Sequence, residues 1–322
     1  MTLYMTYDNQ EQTDGLGAQV LRIIGVYSIA QKYRIKYIHS PIEETIEEFA
    51  HGVMNDQDLT SLINQTNEFF KLPSSLDDFS FDLEIRVRNL SLRFLVRKFL
   101  RHQFSRKSVL LRVCLPFGIT DRNPEIYKNT VEHLRGKRRK FLSERKKNQI
   151  VLHFRMGYGQ RTPVSKHVAP RFLPLDYFLS VIQKISEKNL KSEVRDLLIH
   201  TDLSNKEVLW SPSKKTLRTV ISFGGEIVDG KVLVPKNDVL KMFEVPEDFD
   251  IQVKYCANFF ETFDDMVNAE VLVMSRSAFS YLAALFNKNL VIYPSSHGHA
   301  KLAHWISSDS LGVPSDYRLI PG

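Results

Sequence analysis

Cysteine is nearly missing from this 322-residue chain, which holds only Cys114 and Cys256, far apart and without CxxC spacing. That excludes a disulfide framework and a cysteine-built zinc site, and it fits two small core thiols in reducing surroundings. No apolar run approaches the roughly 18 residues that a membrane-spanning helix needs. The opening stretch MTLYMTYDNQEQTDG has neither the basic nor the apolar region of a secretory signal, so the expected compartment is the cytoplasm. Internal repeats and low-complexity tracts are also lacking. What is there is ordinary: 43% apolar and 25% charged residues describe a globular protein and exclude disorder or a collagen-like repeat. At roughly 150 residues per domain, the length implies two domains, each able to bury a core.

Acid is absent where base is dense. Residues 86–112 hold nine basic side chains (Arg86, Arg88, Arg93, Arg97, Lys98, Arg101, Arg106, Lys107, Arg112) and no Asp or Glu, and 135–147 hold eight against Glu144 alone. The net charge of +7 is therefore local, because the remainder carries 27 basic and 36 acidic residues. A solvated helix face is the plain reading of these blocks. Peripheral contact with an anionic membrane or a lipid-linked acceptor comes next. Nucleic acid comes last, because Phe94, Phe99 and Phe104 fall on the apolar face, where they are expected to be buried instead of stacking on bases.

The first patterned segment is a helix over 18–29, after the turn Asp14-Gly15-Leu16-Gly17, with Val20, Ile23, Ile24 and Tyr27 at helical spacing. A short strand at 36–39 follows. Leu83, Val87, Leu90, Phe94 and Leu95 predict a further amphipathic helix carrying the first basic block, and 109–115 reads as a strand. Residues 121–148 read as a polar, basic, helix-like connection, which places the domain boundary near 148. Beyond it, strands at 150–154, 196–200, 220–223, 271–274 and 290–293 alternate with helices at 175–188, ending near 269, and at 278–286. Strands separated by helices indicate doubly wound parallel sheets.

Open α/β sheets place ligands at the carboxyl ends of their strands, and three such ends carry chemistry. In His153-Phe154-Arg155-Met156-Gly157, alternation sends His153 and Arg155 to one side and Phe154 to the other. Arg155 leaves the strand into a glycine-containing loop, suited to bidentate phosphate contact or to a surface salt bridge. Asp202 ends the second strand and suits ribose hydroxyls, a base amine or a helix cap. The third end, Ser275-Arg276-Ser277-Ala278-Phe279-Ser280, delivers three hydroxyls into a helix start, more than capping alone requires.

Together these segments resemble the donor-site motifs of the fucosyltransferase superfamily. The match lies in HFRMG, the strand ending in Asp202, and NAEVLVMSRSAFSYLAALF, while DGLGAQ is similar to its glycine-rich loop GxGNQ. The motifs occur in the family's order over 14–42 and 150–293. The resemblance implies the GT-B architecture: two Rossmann-like α/β domains facing a cleft, here 1–148 on the acceptor side and 149–322 on the nucleotide-sugar side. It further implies that Arg155 contacts the nucleotide diphosphate, with His153 and Gly157 shaping that loop. Ser275, Ser277, Phe279 and Ser280 would line the nucleotide pocket with Asp202 nearby, and Gly15 and Gly17 would let backbone approach the sugar. Met156, Ala18 and Ala278 depart from the family pattern, and a UDP-sugar such as UDP-xylose stands as the alternative to GDP-fucose.

Glycosyl transfer needs stabilisation of a departing diphosphate and removal of a proton from the acceptor hydroxyl. Arg155 and the serine-rich helix start answer the first need. Asp14, beside the loop, is the candidate base, with a turn or cap role as its alternative, and His39 and Glu43 stand in reserve. Asp56-Gln57-Asp58 and Asp248-Phe249-Asp250 have the Asp-x-Asp pattern of metal-dependent transferases but lack a convincing setting, so no metal or cofactor is expected. His297, His299 and His304 have near-ligand spacing and read as an exposed or cleft-flanking loop. The expected activity is an inverting, metal-independent transfer to a glycan, glycolipid or glycoprotein hydroxyl. The alternative of another class is a non-catalytic basic protein binding membrane or nucleic acid.

Overall fold

The computed structural model describes residues 2–9, 15–44, 56–75, 80–102, 107–138, 149–155, 173–187, 196–203, 208–210, 226–229, 231–234, 238–243, 249–255, 257–311 and 313. The chain forms two compact units. Unit 1 comprises 1–45, 60–141 and 299–303; unit 2 comprises 46–59, 142–298 and 304–322.

Unit 1 is built on a four-stranded parallel sheet of β1 (Thr2–Tyr7), β2 (Lys36–Tyr37), β3 (Leu83–Asn89) and β4 (Ser108–Leu115), in the order β2-β1-β4-β3. Strand β1, one of the two inner strands, precedes the helix that reads as the first patterned segment and was not expected from the sequence. Its Leu3, Tyr4, Met5 and Tyr7 are all buried, as expected of a strand covered on both faces. Helix α1 (Leu16–Lys32) is buried around its whole circumference from Leu16 to Ala30 except at Ala18. Its close fit depends on Gly25, where a Cβ would stand 2.7 Å from the Pro116 ring.

The helix expected across 83–95 is instead β3 followed by α3 (Leu92–His102). Residues 83–89 pair in parallel register with β4, so sheet pairing overrides the three-four spacing of the apolar side chains. The remaining α-helices among the described residues of 1–138 are α2 (Asp56–Phe69), α4 (Phe117–Thr120) and α5 (Lys128–Arg138).

Unit 2 holds a six-stranded, fully parallel sheet of β5 (Gln149–Phe154), β6 (Asp196–Thr201), β10 (Asp250–Tyr255), β11 (Val271–Val273), β12 (Leu290–Tyr293) and β13 (Ile306–Ser307), in the order β10-β6-β5-β11-β12-β13. Strand β13 extends the sheet past 290–293, which had read as its last strand. Between β6 and β10 lies a small antiparallel sheet of β7 (Val208–Trp210), β8 (Glu226–Val228) and β9 (Lys231–Val234), while the strand expected at 220–223 falls outside the described residues.

Both faces of the large sheet are covered. Ile150, Leu152 and Phe154 face one core with α6 (Leu175–Glu187), where Phe154 meets Phe178 and Phe243 edge-on at 5.2 and 5.0 Å. The opposite face meets α7 (Phe259–Asn268) and α8 (Ala278–Phe286), with the Phe279 ring 4.6 Å from that of Phe259 and 5.8 Å from that of His153. Two parallel sheets with helices packed on both faces of the larger one make the chain an α/β protein.

Candidate functional site

Strand order fixes where a ligand would sit. From β5 the chain winds outward through β6 to β10, then returns to lay β11 on the other side of β5. The sense of winding reverses between β5 and β11, and in such sheets the crevice at the carboxyl ends of those strands is the ligand position. His153, Arg155, Asp202, Ser275, Ser277, Phe279 and Ser280 all gather at this edge, from the ends of β5, β6 and β11 and the start of α8. Gly157 lies outside the described residues.

The hydroxyls and the cation have different surroundings. Ser275 Oγ stands 3.0 Å from His153 Nδ1 and 3.3 Å from Ser280 Oγ, and Ser280 Oγ donates to Ser275 O at 3.0 Å. Ser277 has the extended backbone of an N-cap, and its Oγ accepts from Ser280 N at 3.0 Å. All three serines and His153 are buried. Their side chains bond one another and fix the turn from β11 into α8. What α8 offers beyond this network is the N–H groups of Ala278 and Phe279, its first two, with the positive end of the helix dipole behind them.

Among the described residues, Arg155 is an accessible cation at the crevice. Its side chain is 41% exposed, and its Nε lies 3.5 Å from Asp202 Oδ2, a stand-off pair that a phosphate can replace with closer, charge-assisted bonds. Two further groups join this edge that the motifs had not singled out as site residues. Arg276, half-buried, donates from Nε to Ser296 Oγ at 2.6 Å, and burial pulls its guanidinium below the usual arginine range. His297 stacks on Tyr281 with ring centres 5.3 Å apart and brings Nε2 to 3.4 Å from Ser277 O. The sequence signal for both was the density of Ser, Arg and His beside two strand ends.

Unit 1 has its own reversal, between β1 and β4, and a different charge arrangement there. Asp8, directly after β1, is fully buried. It pairs with Arg86 of β3, and Cys114 of β4 donates its thiol to the same Oδ2 at 3.3 Å. The bond to Asp8 holds the Arg86 guanidinium above its ordinary value, while burial and then Asp8 push the Cys114 thiol up. Asn9 donates to Glu43 Oε1 at 2.9 Å and to Pro41 O at 3.1 Å, and Gln19 donates to Glu44 O at 2.7 Å.

Gly15 is the N-cap of α1 with φ −63° and ψ 157°, a conformation open to any residue, and Gly17 is buried in the first turn. Asp14 lies outside the described residues. His39 sits beyond β2 near Tyr37 and Lys71, and burial, then Lys71, lowers its pKa to about 4.

Asp56 and Asp58 lie in the first turn of α2, Asp250 opens β10, and Asp248 is outside the described residues. His299 bonds Asp121 at 3.1 Å within unit 1, and His304 is exposed. Among the described residues, no three His, Cys, Asp or Glu side chains cluster as metal ligands, and no helix is long and apolar enough to cross a membrane. A cavity of about 490 Å³ in unit 1, lined by Tyr27, Ser28, Gln31, Asn129, Thr130 and His133 among others, shares no residue with either carboxyl edge.

No family model and no curated protein sequence matches the chain. Solved structures align with most of it at low similarity. POFUT1 in complex with GDP aligns with a TM-score of 0.39 and 10% identity, over 94% of this chain and 97% of that one. E. coli heptosyltransferase WaaC with ADP aligns with a TM-score of 0.39 and 9% identity, over 97% of this chain and 96% of that one. A mutant of Arabidopsis thaliana FUT1 in complex with GDP aligns with a TM-score of 0.38 and 11% identity, over 90% of this chain and 70% of that one.

Proposed function

We propose that this chain is a GT-B glycosyltransferase whose nucleoside-diphosphate sugar binds at the β5–β11 crevice of unit 2. The supporting observation is Arg155, a half-exposed guanidinium at the end of the strand where the winding reverses, next to β11, which leads into α8. The diphosphate takes bonds from Arg155 and from the N–H groups of Ala278 and Phe279, and Asp202 releases the guanidinium as it does so. Charge-assisted bonds of this kind contribute about 1.5–3 kcal/mol each.

The reaction is a single displacement with inversion. The acceptor oxygen attacks the anomeric carbon and forms the new C–O bond. The bond from that carbon to the diphosphate oxygen breaks, and its electron pair leaves with the diphosphate. Asp14 takes the acceptor's proton, and no metal is required because the leaving charge is met by Arg155 and the helix start. GDP-fucose is the first donor to test and UDP-xylose the second, and the acceptor is a glycan, glycolipid or glycoprotein hydroxyl.

Calorimetry of the full chain against GDP, UDP, ADP and their sugars is the direct test. Binding of one nucleotide series that is lost in Arg155→Ala supports the reading, and failure of every nucleotide sugar to bind overturns it. Turnover that survives EDTA upholds metal independence, and its loss would bring the Asp-x-Asp pairs back into play.

A further inference from the structure

The first basic block has a feature that a merely solvated face would not need. On α3, Leu95 is buried and anchors the helix, while Leu92 and Val96, one turn apart, are 42% and 47% exposed. Beside this apolar pair, at the next helical positions, stand Arg93 and Arg97, both exposed. Arg86 and Arg112 of the same block are engaged by Asp8 and Glu84, whereas Arg88, Arg93 and Arg97 have no acidic partner among the described residues. Of the five large apolar side chains exposed among the described residues, three (Leu83, Leu92, Val96) belong to the consecutive elements β3 and α3. Single exposed aliphatics need no explanation, but a pair on one helical stripe flanked by unpaired arginines does.

We infer that the exposed face of α3 docks on an anionic lipid surface, with Leu92 and Val96 entering the headgroup boundary and Arg88, Arg93 and Arg97 meeting phosphates. Charge selects the occupant. The block 86–112 is purely basic, and outside it and the second basic block 135–147 the chain holds 27 basic against 36 acidic residues, so a negatively charged plane attracts this face and repels most of the rest. Short helices with aliphatic and arginine stripes side by side lie flat in such interfaces. Nucleic acid fits less well, because the stripe between the arginines and the core presents aliphatic side chains and the described aromatic, Phe94, is only partly exposed. This docking is independent of the donor reading and uses none of its residues.

The test is co-sedimentation of the full chain with phosphatidylcholine vesicles containing or lacking phosphatidylglycerol. Binding is expected only with the anionic lipid and should fall steeply with added salt. Arg93→Gln/Arg97→Gln should weaken it by about tenfold or more, and Leu92→Ser/Val96→Ser by severalfold, with thermal melting and nucleotide affinity unchanged in both. Equal binding to neutral vesicles, or full binding by the arginine variant, overturns the inference. So does RNA that displaces the vesicles through the same arginines. The arginine variant changes only exposed side chains and keeps the test valid should the aliphatic variant fold poorly.

Discussion

The carboxyl edges of the two sheets arise from one topological device and treat charge in opposite ways. At the β5–β11 crevice of unit 2, the cation is half-exposed and its carboxylate stands off at 3.5 Å. At the β1–β4 crevice of unit 1, the carboxylate of Asp8 is fully buried and closed over by Arg86 and the Cys114 thiol. A buried carboxylate surrounded by its own donors has little left to give a ligand, and removing its partner leaves an uncompensated charge. A loosely paired surface arginine contributes little to stability, so its charge remains available. The winding reversal marks where a ligand can sit, and on the proposed reading the pairing state of the charge there separates binding from scaffolding.

The largest effect expected from disturbing this contrast lies in the core beneath the unit 2 crevice. Phe154→Ala removes a fully buried ring packed on Phe178 and Phe243 and should cost about 3–5 kcal/mol. Trp210 and Trp305 both belong to unit 2, so urea unfolding followed by tryptophan fluorescence reads that loss directly.

Next comes the pH response of unit 1. His39 has a pKa lowered from 6.5 to about 4, so between those values the unfolded chain binds the proton and the folded chain does not. Stability is therefore lost as pH falls through that window and is fully present above it. The contribution is at most about 3 kcal/mol, less for the water that reaches this partly exposed ring. His39→Gln should flatten the difference in melting temperature between neutral and mildly acidic buffer.

Arg155→Ala should weaken nucleotide binding by about tenfold to a hundredfold with unchanged melting, the equivalent of about 1.5–3 kcal/mol. Arg86→Ala should do the reverse, lowering melting while leaving nucleotide affinity intact. If both arginines alter affinity alike, the division between binding edge and scaffolding edge fails. The smallest change is expected from Asp202→Asn, which frees Arg155 of its stand-off partner and should tighten nucleotide binding slightly, by a few-fold at most. Weaker binding would show that Asp202 positions the guanidinium or contacts the ligand itself.

Unit 2 was the more legible half. Helix α8 (Ala278–Phe286) and strand β12 (Leu290–Tyr293) match their expected limits, because the apolar runs are bounded by a serine cap and by Asn287-Lys288-Asn289. The strand-end motifs were likewise brought to one edge, since alternation places His153 opposite Phe154 and the winding does the rest. Unit 1 hid more. Residues 2–7, Thr-Leu-Tyr-Met-Thr-Tyr, lack strict alternation and gave a weak signal, although the segment is one of the two inner strands. Residues 83–89 carry helical spacing and became a strand through pairing with β4, a partner more than twenty residues along the chain. Asp8 was illegible for the same reason, because its partners are 78 and 106 residues away.

Unit 1 is also discontinuous along the chain in a way that bears on how it is made. The segment 299–303 belongs to it, with the His299 ring 4.4 Å from that of Phe117 and its Nδ1 bonded to Asp121. A ribosome that has finished residue 141 must add roughly 160 more before that segment exists. At about 5–20 residues per second, this is a wait of roughly ten to thirty seconds. During that interval Phe117 and Asp121 lack their partner, and no truncation after 141 can supply it. The first unit to begin translation is completed only after most of the second has been made.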